Sequence, residues 1–290
     1  MAPPAEAPTW RDLVRAARTA LGGPDEALVL AEEAAGLSRI ELVLALDTSP
    51  GPEERARFGE LVDRRRRGLP LQHVVGHWGF RRLDLLVDGR ALVPRPETEI
   101  TVEVALAELA ARRPAGWPAL AVELGTGSGA IACSLATERE GLRVVATDRS
   151  PAALEVARLN RARLDADAAG RIELRPGDWY RALEPGIAGK VDLVVANPPY
   201  IAASEWRDLD PVVRDFDPRE ALVAGETGRE AIEVILEGAP AWLSRDGAAV
   251  VELAPHQVAA AVAFAGACGA VGTQVRRDLS GRDRVLVARW

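Results

Sequence analysis

Apolar side chains recur every three to four residues through Trp10, Leu13, Val14, Ala17 and Leu21, which predicts an amphipathic helix, and helical periodicity continues to about Arg67. Thr9 with Asp12, and Ser38 with Glu41, have the spacing of capping boxes. Pro24 and Pro52 suit first-turn positions, where a missing N–H costs nothing. Together these signals predict a small helical bundle over residues 1–75. Between Gly68 and Pro94 the helical period disappears. Short apolar runs at 77–80, 83–87 and 91–93, separated by turn residues such as Asp88-Gly89, predict a β-hairpin linker over 76–95. From 96 to 290 strand-length apolar runs alternate with helical stretches, the α/β pattern of a parallel sheet covered on both faces. Strands are predicted at 120–124, 144–147, 172–174, 191–196 and 248–253. A final antiparallel pair, 274–279 and 284–288, is predicted around Ser280-Gly281-Arg282-Asp283 at the sheet edge.

Composition narrows the setting. A chain of 290 residues fits two domains or one large α/β domain, and 48% hydrophobic with 27% charged residues excludes a disordered or fibrous protein. The formal net charge of -7 disfavours binding to nucleic-acid backbones. The basic run Arg64–Arg67 reads as a solvated helix C-terminus favoured by the macrodipole. Two cysteines, Cys133 and Cys268, form neither a disulfide framework nor a zinc pattern, and His73 and His77 lack a cluster of further ligands, so no metal is expected. The opening MAPPAEAPTW has no secretory pattern, and no stretch approaches the ~20 apolar residues of a membrane span. A soluble, cytoplasmic monomer is the expectation.

Chemistry is concentrated at strand ends. Val122-Glu123-Leu124 runs straight into Gly125-Thr126-Gly127-Ser128-Gly129-Ala130, and glycines there let backbone approach a ligand closely. Gly125, Gly127 and Ala130 also satisfy a dinucleotide fingerprint. Asp148 ends the next strand 23 residues beyond Gly125, a spacing suited to gripping ribose hydroxyls, or else it caps the helix that Pro151 opens. A ribose is common to NAD, flavin adenine and S-adenosylmethionine. Asp178-Trp179 follows the third strand, where the acid can bond an adenine amine while the indole covers the base.

The fourth strand ends in Asn197-Pro198-Pro199-Tyr200. An amide NH2 needs two acceptors, and the Asn197 side-chain oxygen with the Pro198 carbonyl can supply them. Pro198 and Pro199 fix φ and remove donors, and Tyr200 can stack on a planar group. A conjugated nitrogen is a poor nucleophile, so acceptors for its protons stabilise the positive charge that builds on it during transfer. All four sets lie at carboxyl ends of successive strands, where open α/β sheets bind ligands.

These motifs, with Leu92-Val93-Pro94-Arg95-Pro96-Glu97-Thr98-Glu99 and Asp217-Pro218-Arg219-Glu220-Ala221-Leu222, resemble the HemK/PrmC-type protein-glutamine methyltransferases over most of the chain. The resemblance implies a Rossmann-like class I S-adenosylmethionine-dependent methyltransferase domain, 96–290, behind the β-hairpin and a helical substrate-recognition domain. It implies S-adenosylmethionine as cofactor and the N5 amide of a glutamine in a peptide-chain release factor as substrate. Gly125, Thr126, Gly127, Ser128, Gly129, Asp148 and Trp179 would contact the cofactor, beside Asp178. Asn197, Pro198, Pro199 and Tyr200 would hold the amide, with Asn197 also touching the cofactor. Arg95, Glu97 and Thr98 are supporting candidates. The stretch 201–227 lacks periodicity and suits a substrate-contacting loop. Glu226-Thr227-Gly228-Arg229 and Val251-Glu252-Leu253-Ala254 depart from the family pattern and are expected to lie away from the chemistry. Rival substrates are a ribosomal-protein glutamine, or an adenine amine in DNA or RNA, which the acidic charge argues against.

Overall fold

The computed structural model describes residues 7–22, 24–114 and 116–290. It divides into two compact units, one ending at Gly76 and one beginning at His77.

The first unit contains α1 (Trp10–Leu21), α2 (Pro24–Ala35), α3 (Arg39–Ala45), α4 (Pro52–Arg66) and α5 (Leu71–Val75). Both capping boxes form, Thr9 with Asp12 and Ser38 with Glu41, and Pro52 opens α4. Trp10, Val14, Leu30, Leu42, Phe58 and Leu61 share one core, in which Trp10 meets Phe58 edge-on with centroids 5.8 Å apart. The Arg64–Arg67 run is not simply a solvated helix end. Arg65 makes a two-pronged contact with Glu26 at 2.7 and 2.9 Å, and Arg64 donates to the His73 carbonyl at 2.9 Å. Two of the four arginines thus tie α4 to its neighbours, because a guanidinium fork matches a carboxylate.

The second unit begins with an antiparallel hairpin, β1 (His77–Phe80) and β2 (Leu83–Leu86). Its turn is at Arg81-Arg82, between the first two apolar runs of the sequence. Arg81 takes φ 51° and is held by Glu138 through bonds of 2.5 and 2.7 Å. Phe80 and Leu85 are buried in the core of this unit, so the hairpin is part of it. The third apolar run, 91–93, forms no strand.

A seven-stranded sheet follows. Its strands are β3 (Ala119–Leu124), β4 (Leu142–Asp148), β5 (Ile172–Pro176), β6 (Val191–Ala196), β9 (Leu243–Glu252), β10 (Gly272–Arg277) and β11 (Asp283–Arg289), in the order β10-β11-β9-β6-β3-β4-β5. Only β11 runs against the rest, inserted between β9 and β10. Both faces are covered, which is why the strands read as near-continuous apolar runs. Alternate residues feed two cores: Ala121, Leu193, Val195 and Val250 with α6 (Pro96–Arg112) and α7 (Ala130–Glu138), and Val122, Val194 and Val251 with α12 (Glu230–Trp242) and α13 (Val258–Ala267). The chain leaves β3 toward β4 on one side while β6 joins on the other, so the sheet's switch point opens a crevice at the ends of β3 and β6.

The stretch 201–227, which lacks periodicity in the sequence, is built of elements too short to show a period. They are β7 (Ile201–Ala202), a 3-10 turn Glu205–Asp208, α10 (Pro211–Phe216), α11 (Arg219–Leu222) and β8 (Val223–Gly225), with β7 and β8 pairing in parallel.

Candidate active site

A cavity of about 230 Å³ lies at the switch point. The glycine loop makes its floor: Gly125, Thr126, Gly127 and Ser128 line it, and Gly125, Gly127 and Gly129 all have positive φ. Gly129 is set back from the wall, and a Cβ on it would meet the Cβ of Ala157 at 3.1 Å. Glycine there allows α7 and α8 (Pro151–Arg161) to close up beneath the loop. Buried Asn160 on α8 donates to the Ser128 carbonyl at 2.9 Å and bonds both backbone groups of Leu86, tying the loop to the hairpin.

Asp148 lines the cavity and accepts from the Gly127 and Ser150 N–H groups at 2.8 Å each. It does not cap the next helix; Ser150 does, through Ala153 N–H. Burial raises the Asp148 pKa, because a low-dielectric wall disfavours the charged carboxylate. Asp178 and Trp179 also line the cavity. Trp179 adopts φ 48°, unusual for a bulky side chain, and its ring lies 3.5 Å from where a Cβ on Gly125 would be.

Glu123 is the residue that motif reading passed over. It is 1% exposed, lines the cavity, accepts from the Thr126 hydroxyl at 2.7 Å, and burial pushes its pKa up to about 8. The available signal was an acid inside an otherwise apolar strand, since a buried carboxyl must be paired or neutral.

Asn197 and Pro199 line the same cavity, whereas Pro198 is buried and Tyr200 is half-buried against the second core. Burial raises the Tyr200 pKa, with a smaller contribution from the Glu252 charge. Asn197 donates through Nδ2 to the Thr98 hydroxyl at 3.0 Å, which leaves its Oδ1 as the acceptor. Of the supporting candidates, Thr98 and Arg95 line the cavity and Arg95 binds Asp217 at 2.5 Å. Glu97 lies outside the lining, 3.3 Å from Arg282.

The two departures from pattern do not lie away from this region. They back it. Gln257 donates to the carbonyls of Tyr200 and Gly228 at 2.8 and 2.9 Å, and Glu252 contacts Thr98. Pro218, Glu220 and Ala221, from the 201–227 stretch, complete the wall. Carboxyls, an indole and exposed backbone around a glycine loop fit a nucleoside that carries positive charge. Among the described residues no group of three or more His, Cys, Asp or Glu side chains is arranged to hold a metal, and no helix is long and apolar enough to cross a membrane.

The sheet order, the glycine loop after β3 and the acid ending β4 define a Rossmann-like class I S-adenosylmethionine-dependent methyltransferase. The fold agrees with a methyltransferase from Pyrococcus furiosus (TM-score 0.50, 18% identity, 73% of this chain and 90% of that one). It also agrees with the hMettl16 catalytic domain (TM-score 0.52, 15% identity, 72% and 75%). Residues 20–76 match the PrmC N-terminal domain model, and residues 106–211 the methyltransferase small domain model. A release factor glutamine methyltransferase from Cereibacter sphaeroides is 40% identical over 96% of this chain and 97% of its own length. Those from Moorella thermoacetica and Xylella fastidiosa are also 40% identical, covering 93% and 80% of this chain and 94% and 80% of theirs. The chain belongs to the release factor glutamine methyltransferase family.

Proposed function

We infer that this chain methylates the side-chain amide nitrogen of a glutamine in a peptide-chain release factor, using S-adenosylmethionine, as a monomer in the cytoplasm. The observation that carries the reading is Asn197: its Nδ2 is committed to Thr98, so Oδ1 is available to accept a hydrogen bond from an incoming NH2. A glutamine amide offers two N–H donors, and the Pro198 carbonyl, in the peptide bond leading to Pro199 on the cavity wall, accepts from the second. The cofactor supplies an electrophilic methyl group on a sulfonium.

The remaining work falls to the chain. The glycine loop and Ser128 present backbone to the cofactor, with Gly129 setting the loop's approach. Asp148 binds the ribose, Asp178 and Trp179 hold the base, and Glu123 faces the cationic end. Asn197 and Pro198 draw density toward the amide nitrogen and stabilise the charge that develops there. No strong base is needed, because an N-protonated amide is acidic and loses its proton to water. Tyr200, with its carbonyl pinned by Gln257, forms the substrate-side end of the segment. The helical unit is assigned to recognition of the factor, supported by its match to the PrmC N-terminal model.

Incubation with labelled S-adenosylmethionine and a release factor, a ribosomal protein or DNA and RNA oligonucleotides tests the substrate. One added methyl on a release-factor glutamine, seen by mass spectrometry, is the expected result. Label confined to ribosomal protein or nucleic acid would overturn it.

A further inference from the structure

Asn197 ends β6, and Glu252 is the last residue of the neighbouring strand β9. Ala196 pairs with Val251 in parallel register, so Asn197 and Glu252 come side by side one step further along. Both follow residues of the α6-covered core, Val195 and Val250, at the two-residue spacing that keeps side chains on one face. From α6, Thr98 and Thr101 project together, as residues three apart on a helix do. Thr101 donates to Glu252 at 2.9 Å, the Thr98 hydroxyl lies near enough to the same carboxyl to favour its charged form, and Thr98 receives Asn197 Nδ2 at 3.0 Å. Glu252 is 1% exposed and lies outside the cavity lining.

The direction of this chain of bonds follows from proton counting. An ionised carboxylate only accepts. Thr98 has one proton, and once that proton is directed at the adjoining carboxylate its oxygen can only accept from Asn197. Asn197 must then turn its NH2 toward Thr98 and keep its oxygen for the cavity. Without the carboxylate, Thr98 can donate to Asn197 instead, and the amide can settle in the flipped orientation, which presents NH2 to an incoming NH2.

We propose that Glu252 is a positioning residue that, through Thr98, fixes the Asn197 amide with its oxygen toward the substrate nitrogen. The proposal rests on the reading above that Asn197 receives a glutamine amide. Burial raises the Glu252 pKa to about 6; Thr98, Thr101 and Arg284 lower it, and Glu97 raises it, while Tyr200 faces the same carboxyl. Protonation gives Glu252 a donor of its own and releases the constraint, so methyl transfer falls as pH drops through about 6.

Two measurements test this on the full-length protein. In kinetics, Glu252→Gln and Thr98→Val each lower kcat roughly tenfold, less than outright loss of a preorganised contact costs. The affinity for S-adenosylmethionine stays at the parent value, Thr98→Ser restores kcat, and the double variant is no worse than either single one because all act through one chain of bonds. The acid limb disappears in Glu252→Gln. The second measurement needs no substrate: Asn160 and Asn197 are the only asparagines, so asparagine-labelled protein shows two side-chain NH2 signals by NMR. The pair absent from Asn197→Ala belongs to Asn197. In the parent it shifts with a midpoint near pH 6, and in Glu252→Gln it does not. If the Asn197 signals follow Glu252 while no methyl reaches a release factor, the substrate reading fails and the positioning role stands. If methyl transfer proceeds but both variants keep parental kcat, or kcat and cofactor affinity fall together, or the Asn197 signals ignore pH, the positioning role is overturned.

Discussion

The two ends of the cavity are built differently. The cofactor end is nearly contiguous: Glu123 and Gly125 through Ser128 supply its floor, and one distant acid, Asp148, ties the loop through Gly127 N–H. The transfer end is four residues long but is held from behind by Thr98, Glu252 and Gln257, and Gly228 is pressed against its backbone. A site made of backbone can be shaped by φ angles alone, whereas one that depends on which way an amide points needs partners from other elements.

That contrast can be broken experimentally. The largest effect is expected for Asn197→Ala, with turnover falling on the order of a hundredfold or more and cofactor affinity little changed. Labelled methyl transfer beside calorimetry measures both, and an unchanged rate would remove Asn197 from the chemistry. Asp148→Ala acts at the other end: losing hydrogen bonds to a charged group weakens cofactor binding about ten- to a hundredfold, while turnover at saturating cofactor is largely kept. Equal loss of both quantities would erase the distinction between the ends.

Gly228→Ala tests the backing itself. It has φ +77°, and a Cβ there would lie 2.7 Å from the Tyr200 carbonyl oxygen, so the segment must move. Turnover is expected to drop about tenfold, since small misplacements at a reacting centre are costly, with cofactor affinity retained. A parental rate would show that the segment tolerates displacement.

The smallest effect is a proton count. Glu123, with its pKa raised to about 8, is mostly neutral at pH 7, and a cationic ligand beside it favours the charged form. Cofactor binding at pH 7 therefore releases a proton from the parent but not from Glu123→Gln, measurable by calorimetry in buffers of different ionisation enthalpy. Stability follows the same sign. The neutral acid is fully accommodated below its unfolded pKa, and its stabilisation is lost as pH rises toward about 8. Glu123→Gln should gain stability relative to the parent over that interval, and parallel denaturation curves across pH would refute the assignment.

Much of this was legible in the amino-acid order. The capping boxes at Thr9 and Ser38, the strand 191–196, the reversed pair at the chain's end and the placement of glycines, acids and Asn197 at strand ends are local patterns, set by side-chain period, caps and glycine content. The first two apolar runs of the linker, 77–80 and 83–87, pair as read, while the third, beyond Asp88-Gly89, forms no strand; what holds the turn at Arg81, its reach to Glu138 57 residues away, is not written in the local pattern. Segment 201–227 looked irregular because none of its elements exceeds six residues, too few for a period to repeat. Residue order alone thus determined which groups could reach the cavity. Only the tertiary structure decided which do and how they point: the pairing of β6 with β9 sets Glu252 beside Asn197, α6 brings Thr98 close to both, and the Pro198 ring and the Tyr200 side chain stay out of the cavity lining. Orientation depends on hydrogen bonds between residues as much as 151 positions apart, and no periodicity within a strand or helix encodes them.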